Sequence, residues 1–192
     1  MEYINLQSKY IIKIPKNITI LYCDKKKIIT FIGPLKKKSL KIKIKLFFTN
    51  NLLIITNLTN TNNLSVNKKA LKMIQGTTLA LIKHALIEVN YKLYHKLKFV
   101  GVGYRSFQME DSIKNQIFLK LGYSHIVYFK IPKPMQTHII KFTKLFIFGN
   151  CSYEKITKLA TSIRNCKLPE PYKGKGILHF EEDIILKKGK KI

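Results

Sequence analysis

An α+β chain of two tandem, duplicated domains is expected from three observations. The first is an internal echo: Lys13-Ile14-Pro15-Lys16 recurs as Lys130-Ile131-Pro132-Lys133, and at a matching distance each is followed by an apolar run that ends in glycine, at Gly33 and Gly149. The second is that each half holds one segment with apolar residues at helical spacing. The third is the alternation in LKIKIKL, residues 40–46, which puts Leu and Ile on one face of a strand and Lys on the other. Short strands with one helix per half call for mostly antiparallel sheets, each covered by an amphipathic helix.

Along the chain, YIIKI (10–14), ITILYC (18–23), IITFIG (28–33), LKIKIKLFF (40–48) and LLIITN (52–57) read as strands. The polar stretch at about 57–67 reads as an Asn-rich loop. Leu71, Ile74, Thr78, Leu81, Ile82, Ala85 and Val89 then share one helix face, and this pattern stops near Tyr91. The first domain is therefore expected at 1–90 and the second at 91–192. In the second half, KLKFVGVGYRSF (96–107), QIFLKLGYSHIVYF (116–129), IIKF (139–142) and KLFIFG (144–149) read as strands, with a turn at Glu110-Asp111-Ser112. Ile156, Leu159, Ala160 and Ile163 form the second helix face. Asn150 or Ser152 is available to cap that helix, and Glu154 stands in the first turn, where the dipole favours an acid.

A formal net charge of +26 on 192 residues calls for a polyanionic partner, because a compact chain would otherwise repel itself. Only Arg105 and Arg164 are arginines among the 36 basic residues. Lysine is a point charge without the bidentate fork that reads base edges, so backbone and shape recognition suit this surface better than sequence readout. Over-use of Ile, Lys, Asn, Phe and Tyr fits an AT-rich genome. Cys23, Cys151 and Cys166 are odd in number and have no C-x-x-C spacing, which fits neither a disulfide framework nor a zinc knuckle. No segment has the apolar length of a membrane span.

Catalysis finds little to work with. Five of the ten acids fall in the only two clusters, Glu110-Asp111 and Glu181-Glu182-Asp183, which read as a turn and a charge-balanced surface rather than as metal ligands. Gly101-Val102-Gly103 lacks the third glycine of a dinucleotide fingerprint, and a strand is expected to run through it. Gly174-Lys175 lacks the loop and the Ser/Thr of a P-loop. Ser124 and His125, adjacent on an expected strand, would point to opposite faces and could not pair. His84, His95, His138 and His179 stand at no ligand spacing. No catalytic residue, cofactor or metal is expected.

The segment PEPYKGKG, residues 169–176, is the exception to this plainness. Pro169 and Pro171 fix φ and bias the residues before them toward extended backbone, so a stiff rod is expected after the second helix. On such a rod Lys173 and Lys175 would share one face roughly 7 Å apart. Gly174 and Gly176 would leave the backbone bare for close approach to a phosphate, and Tyr172 could stack on a base or ribose. Arg164 and Lys167 precede the segment, and Lys187, Lys188, Lys190 and Lys191 follow it. The expected RNA-binding set is therefore Arg164, Lys167, Pro171, Tyr172, Lys173, Gly174, Lys175, Gly176 and those four tail lysines.

PEPYKGKGI closely resembles the signature of the bacterial-type ribosomal large-subunit protein six family. The resemblance extends to Leu97-Lys98-Phe99-Val100-Gly101-Val102-Gly103-Tyr104-Arg105 and Leu121-Gly122-Tyr123-Ser124-His125, and covers residues 68–192 well. It implies two duplicated α+β domains, the second binding large-subunit ribosomal RNA near the sarcin–ricin loop and the landing site of translational GTPases, among neighbouring large-subunit proteins. The N-terminus has no signal-like apolar core, and with the AT-rich composition this suggests synthesis inside a mitochondrion, with a plastid or an AT-rich bacterial cytoplasm as alternatives. A free-standing RNA-binding protein or RNA-processing enzyme is the second reading. A polybasic membrane-surface protein is the third, disfavoured because the lysines spread over two folded domains.

Overall fold

The computed structural model describes residues 10–49, 51–59, 68–108 and 116–189. The turn at Glu110-Asp111-Ser112, most of the Asn-rich loop, Lys190 and Lys191 lie outside the described residues. The chain divides into two compact units, Met1–Tyr91 and Lys92–Ile192. Both are α+β, and each holds two small antiparallel sheets rather than one.

In the first unit, β1 (Ile11–Lys13), β6 (Leu52–Thr59) and β5 (Ile44–Thr49) form one sheet in the order β1-β6-β5, and β2 (Thr19–Cys23), β3 (Ile28–Ile32) and β4 (Lys37–Lys41) form the other in the order β2-β3-β4. The LKIKIKLFF run is not one strand. It breaks at Ile42, whose N–H donates to the Lys27 carbonyl at 2.9 Å, and the pieces enter different sheets. Burial still alternates through the break, Ile42, Ile44 and Leu46 inward and the lysines between them outward, so the period alone could not reveal it. β6 continues past Asn57 through Leu58 and Thr59, which the sequence assigns to the loop.

Helix α1 (Lys68–Asn90) covers both sheets, packing on β3, β4, β5 and β6. Thr78, Ile82, Ala85 and Val89 are buried as expected; Leu81 is exposed, and Gln75, Leu86 and Glu88 are buried instead. Glu88 is only 2% exposed, and Lys38 Nζ lies 2.7 Å from each of its carboxylate oxygens, with Lys36 at 3.4 Å.

In the second unit, β7 (Tyr94–Val100), β11 (Met135–Ile140), β12 (Lys144–Gly149) and β13 (Gly176–His179) form a four-stranded sheet in the order β11-β12-β7-β13. β8 (Arg105–Phe107), β9 (Gln116–Lys120) and β10 (Val127–Lys130) form a three-stranded one in the order β10-β9-β8. Helix α2 (Tyr153–Asn165) buries Ile156, Leu159, Ala160 and Ile163 on β7, β12 and β13, the face read from its spacing. Ser152 takes the N-cap backbone position, without a side-chain capping bond.

The I-P-K echo recurs as geometry. The Ile18 N–H donates to the Pro15 carbonyl at 3.2 Å, and the Met135 N–H donates to the Pro132 carbonyl at 3.0 Å, closing the same turn at the mouth of a hairpin. β1-β2-β3 thus corresponds to β10-β11-β12. β4, β5 and β6 follow this hairpin in the first unit, whereas β7, β8 and β9 precede it in the second, so these strands match in cyclic rather than linear order, and β13 has no counterpart among the described residues of the first unit.

Candidate nucleic-acid interface

The segment after α2 is a closed turn and not a rod. Its base is the Ile177 N–H donating to the Lys167 carbonyl at 2.9 Å. Further out, the Glu170 N–H donates to the Lys175 carbonyl at 2.9 Å and the Gly174 N–H to the Glu170 carbonyl at 2.8 Å. Gly174 has φ +67, the left-handed value that reverses the chain. The prolines restrict only their own φ and the residue before them, so they cannot stop a glycine three positions on from folding the strand back.

This corrects the bare-backbone expectation for Gly176, while at Gly174 the backbone N–H is already used within the turn. Gly176 is buried, and a Cβ on it would lie 2.5 Å from the Pro169 Cα and 2.8 Å from the Leu168 carbonyl oxygen. Its missing side chain admits the protein's own backbone. Lys173 and Lys175 do not share a strand face: Lys173 is exposed at the tip, whereas Lys175 is half-buried and lines a cleft. Pro171 and Tyr172 are exposed, Tyr172 at 54%.

That cleft, of about 520 Å³, lies at the foot of the turn and is lined by Tyr104, Tyr123, Lys167, Glu170 and Lys175 among others. Lys167 Nζ sits 4.2 Å from the Tyr123 ring centroid, and the Tyr123 hydroxyl donates to the Cys166 carbonyl at 3.1 Å. His125 stacks on Tyr123 with centroids 5.5 Å apart and planes 10° apart. The ring of Tyr104 is seated between Gly101 and Gly122, where a Cβ on either would come within 3.0 Å of it. Three sequence stretches that are far apart, GVGYR, LGYSH and PEPYKGKG, therefore meet at one cleft. Sequence reasoning missed Tyr104, Tyr123 and His125 as site residues; their signal was that both motifs put an aromatic directly after a glycine.

The first two stretches also depart from the strands expected for them. Gly101 (φ +143) and Gly103 (φ +75) form a corner at which the chain leaves one sheet for the other. Ser124 and His125 lie in the bend between β9 and β10.

Arg164 is engaged within the protein. Its Nε donates to Glu182 Oε2 at 2.9 Å and its Nη2 to Oε1, a two-point grip on one carboxylate. The hydrogen bonds from Arg164 hold the Glu182 carboxyl below the usual carboxylate range, aided by the His179 N–H at 3.1 Å. Arg164 thereby fixes the start of the tail. Further along, the Lys187 N–H donates to the Pro171 carbonyl at 2.9 Å, which lays the tail beside the turn and leaves the Lys187 and Lys188 side chains exposed. Beneath, His95 Nε2 lies 2.7 Å from His179 Nδ1, a pair formed by the pairing of β7 with β13. Among the described residues no cluster of three or more His, Cys, Asp or Glu could hold a metal, and no helix is long and apolar enough to cross a membrane.

No protein-family model matches the chain. It is 38% identical over 184 residues to large ribosomal subunit protein uL6 of Mycoplasmoides gallisepticum, spanning 94% of this chain and 93% of that protein. The chain belongs to the uL6 family. Similar relatives include uL6m of Prototheca wickerhamii, 33% identical over 188 residues (94% and 95% of the two chains), and uL6c of Phaeodactylum tricornutum, 34% identical over 181 residues (93% and 94%). As a uL6 protein the chain has a structural role in the large ribosomal subunit and is not an enzyme.

Proposed function

We propose that this uL6 chain binds large-subunit ribosomal RNA through the closed turn at 167–177 and the tail laid beside it. The observation that carries the reading is an outward set of lysines, Lys173, Lys187 and Lys188, held on a backbone fixed by four hydrogen bonds, next to a cleft that adds Lys167 and Lys175 to two tyrosines. A preorganised cluster of this kind meets a phosphate backbone without ordering a loop first. Tyr172 stacks on a ribose or base, Lys190 and Lys191 extend the charge, and Pro171, Gly174 and Gly176 shape the turn. Arg164 acts by positioning the tail through Glu182.

By family resemblance we place this surface near the sarcin–ricin loop, among neighbouring large-subunit proteins and close to where translational GTPases dock. The compartment we propose is a mitochondrial ribosome, with a plastid or bacterial one as the alternative; an organelle-encoded gene supports this and a nuclear gene refutes it. RNA binding is tested by titrating the purified chain with large-subunit rRNA across a salt series. Lys173→Ala with Lys175→Ala should lower the slope of log affinity against log salt by about 0.7–0.9 per lost phosphate contact. An unchanged slope refutes the assignment.

A further inference from the structure

The outer face of the sheet β8-β9-β10 carries a row of three aromatic rings, one from each strand. Phe107 stands opposite Phe118, and Phe118 opposite Tyr128. The first pair stacks with centroids 5.6 Å apart and planes 18° apart, and the second meets edge to face at 5.1 Å and 83°. The other face of the sheet carries Ser106, Ile117 and Leu119, all buried, with Val127 and Phe129 packed on the same core. The row is therefore not part of the core, and Tyr128 is 67% exposed.

Cations flank the row on both sides. Arg105 pairs in register with Lys120 on one side, Gln116 with Lys130 on the other, and all three charged residues are exposed. No acid occupies the face positions of these described strands. Beside Phe107 lies a depression of about 460 Å³ lined by Gly103, Arg105, Phe107, Lys120, Ile126 and Phe142.

Cross-strand ring pairs do stabilise sheets. That role, however, does not call for a largely exposed third ring or for cations on both flanks. A polyanion with flat apolar faces suits rings and cations together, and unpaired nucleotides are such a polymer. The row spans about 10 Å at ordinary strand spacing, enough for two or three stacked bases.

We propose that this face is a second RNA-contact surface, which takes two or three unpaired nucleotides with bases on Tyr128 and Phe118 and phosphates on Arg105, Lys120 and Lys130. It is separate from the turn described above and does not depend on it. A neighbouring protein is the competing occupant; the absence of acids among cations at these positions favours RNA.

The test uses the full chain and a labelled single-stranded oligouridine of about eight nucleotides, with an RNA duplex as comparison, at about 0.15 M salt. Tyr128→Ala should weaken single-strand binding about tenfold and leave duplex binding unchanged, whereas Tyr128→Phe should stay within about twofold of the parent. Lys120→Gln with Lys130→Gln should lower the single-strand salt slope by about 1.4, and serves as the reading if Tyr128→Ala does not fold. A Lys173→Ala, Lys175→Ala chain should keep the Tyr128 dependence, which separates the two surfaces. Unchanged single-strand affinity in folded Tyr128→Ala overturns the proposal. So does cross-linking of Tyr128 to protein and not to RNA in assembled subunits.

Discussion

Gly176 lies so close to Pro169 that a Cβ built on it would stand 2.5 Å from the Pro169 Cα. The opposing atoms are backbone and cannot step aside, so Gly176→Ala should open the base of the turn and destabilise the second unit by about 3 kcal/mol. At Gly174 the nearest obstacle is the flexible Leu186 side chain at 3.3 Å, so Gly174→Ala should cost only the left-handed strain, about 1 kcal/mol. Urea unfolding of the two variants checks the ranking; equal effects would mean that the close approach does not decide the fold here.

The Arg164–Glu182 pair should make the tail sensitive to acid. Because Arg164 lowers the Glu182 carboxyl in the folded chain, the pair's stabilisation is present above the ordinary carboxylate range and fades as pH falls through the lowered folded value. Both side chains are partly exposed, so Glu182→Gln should cost about 1 kcal/mol or less at neutral pH. The difference from the parent should vanish in acid. Amide exchange of residues 180–189, compared at neutral and acid pH, reads this directly.

A second pH window lies higher. Burial, and then the neighbouring His179, hold His95 below its usual value, while Glu181 acts weakly the other way. The unfolded chain therefore takes up a proton before the folded one does, and stability is lost as pH drops below about 6.5, until the folded value is reached. His95→Gln should flatten the fall in thermal stability as pH drops below about 6.5. A loss that persists unchanged in His95→Gln would assign it to other groups.

In the first unit, Glu88 is the anchor for Lys36 and Lys38. Replacing Lys38 by Ala takes the nearer of these two cations away from a buried carboxylate, and should cost roughly 2–3 kcal/mol. Glu88→Gln should cost less, because the amide adds no unpaired charge. Chemical denaturation of both variants tests this order.

The period of the apolar residues revealed both helices, the α+β class and most of the strand-forming runs, but β13 was not read as a strand, β4 was read only at its end, and β7 with β8 and β9 with β10 were each read as one run. It could not show where a strand ends inside an unbroken alternation, as at Ile42, or where a chain changes sheets at a glycine corner, as at Gly101. The cationic character of the C-terminal segment was legible, but its shape was not. The turn is set by carbonyls at Lys167, Glu170 and Lys175, and sequence lists such acceptors without saying which donors reach them. Long-range meetings were out of reach for the same reason: His95 and His179 are 84 positions apart and meet only because β7 pairs with β13. Tyr104 and Tyr123 converge only after two strands have turned back.

The most direct measurement is a density map of large ribosomal subunits that carry this chain. The account predicts ribosomal RNA phosphates within about 4 Å of the Lys173 ammonium, with the closed turn at 167–177 intact against them. A turn tip that faces solvent, or is covered by another polypeptide with no nucleotide beside Lys173, contradicts it.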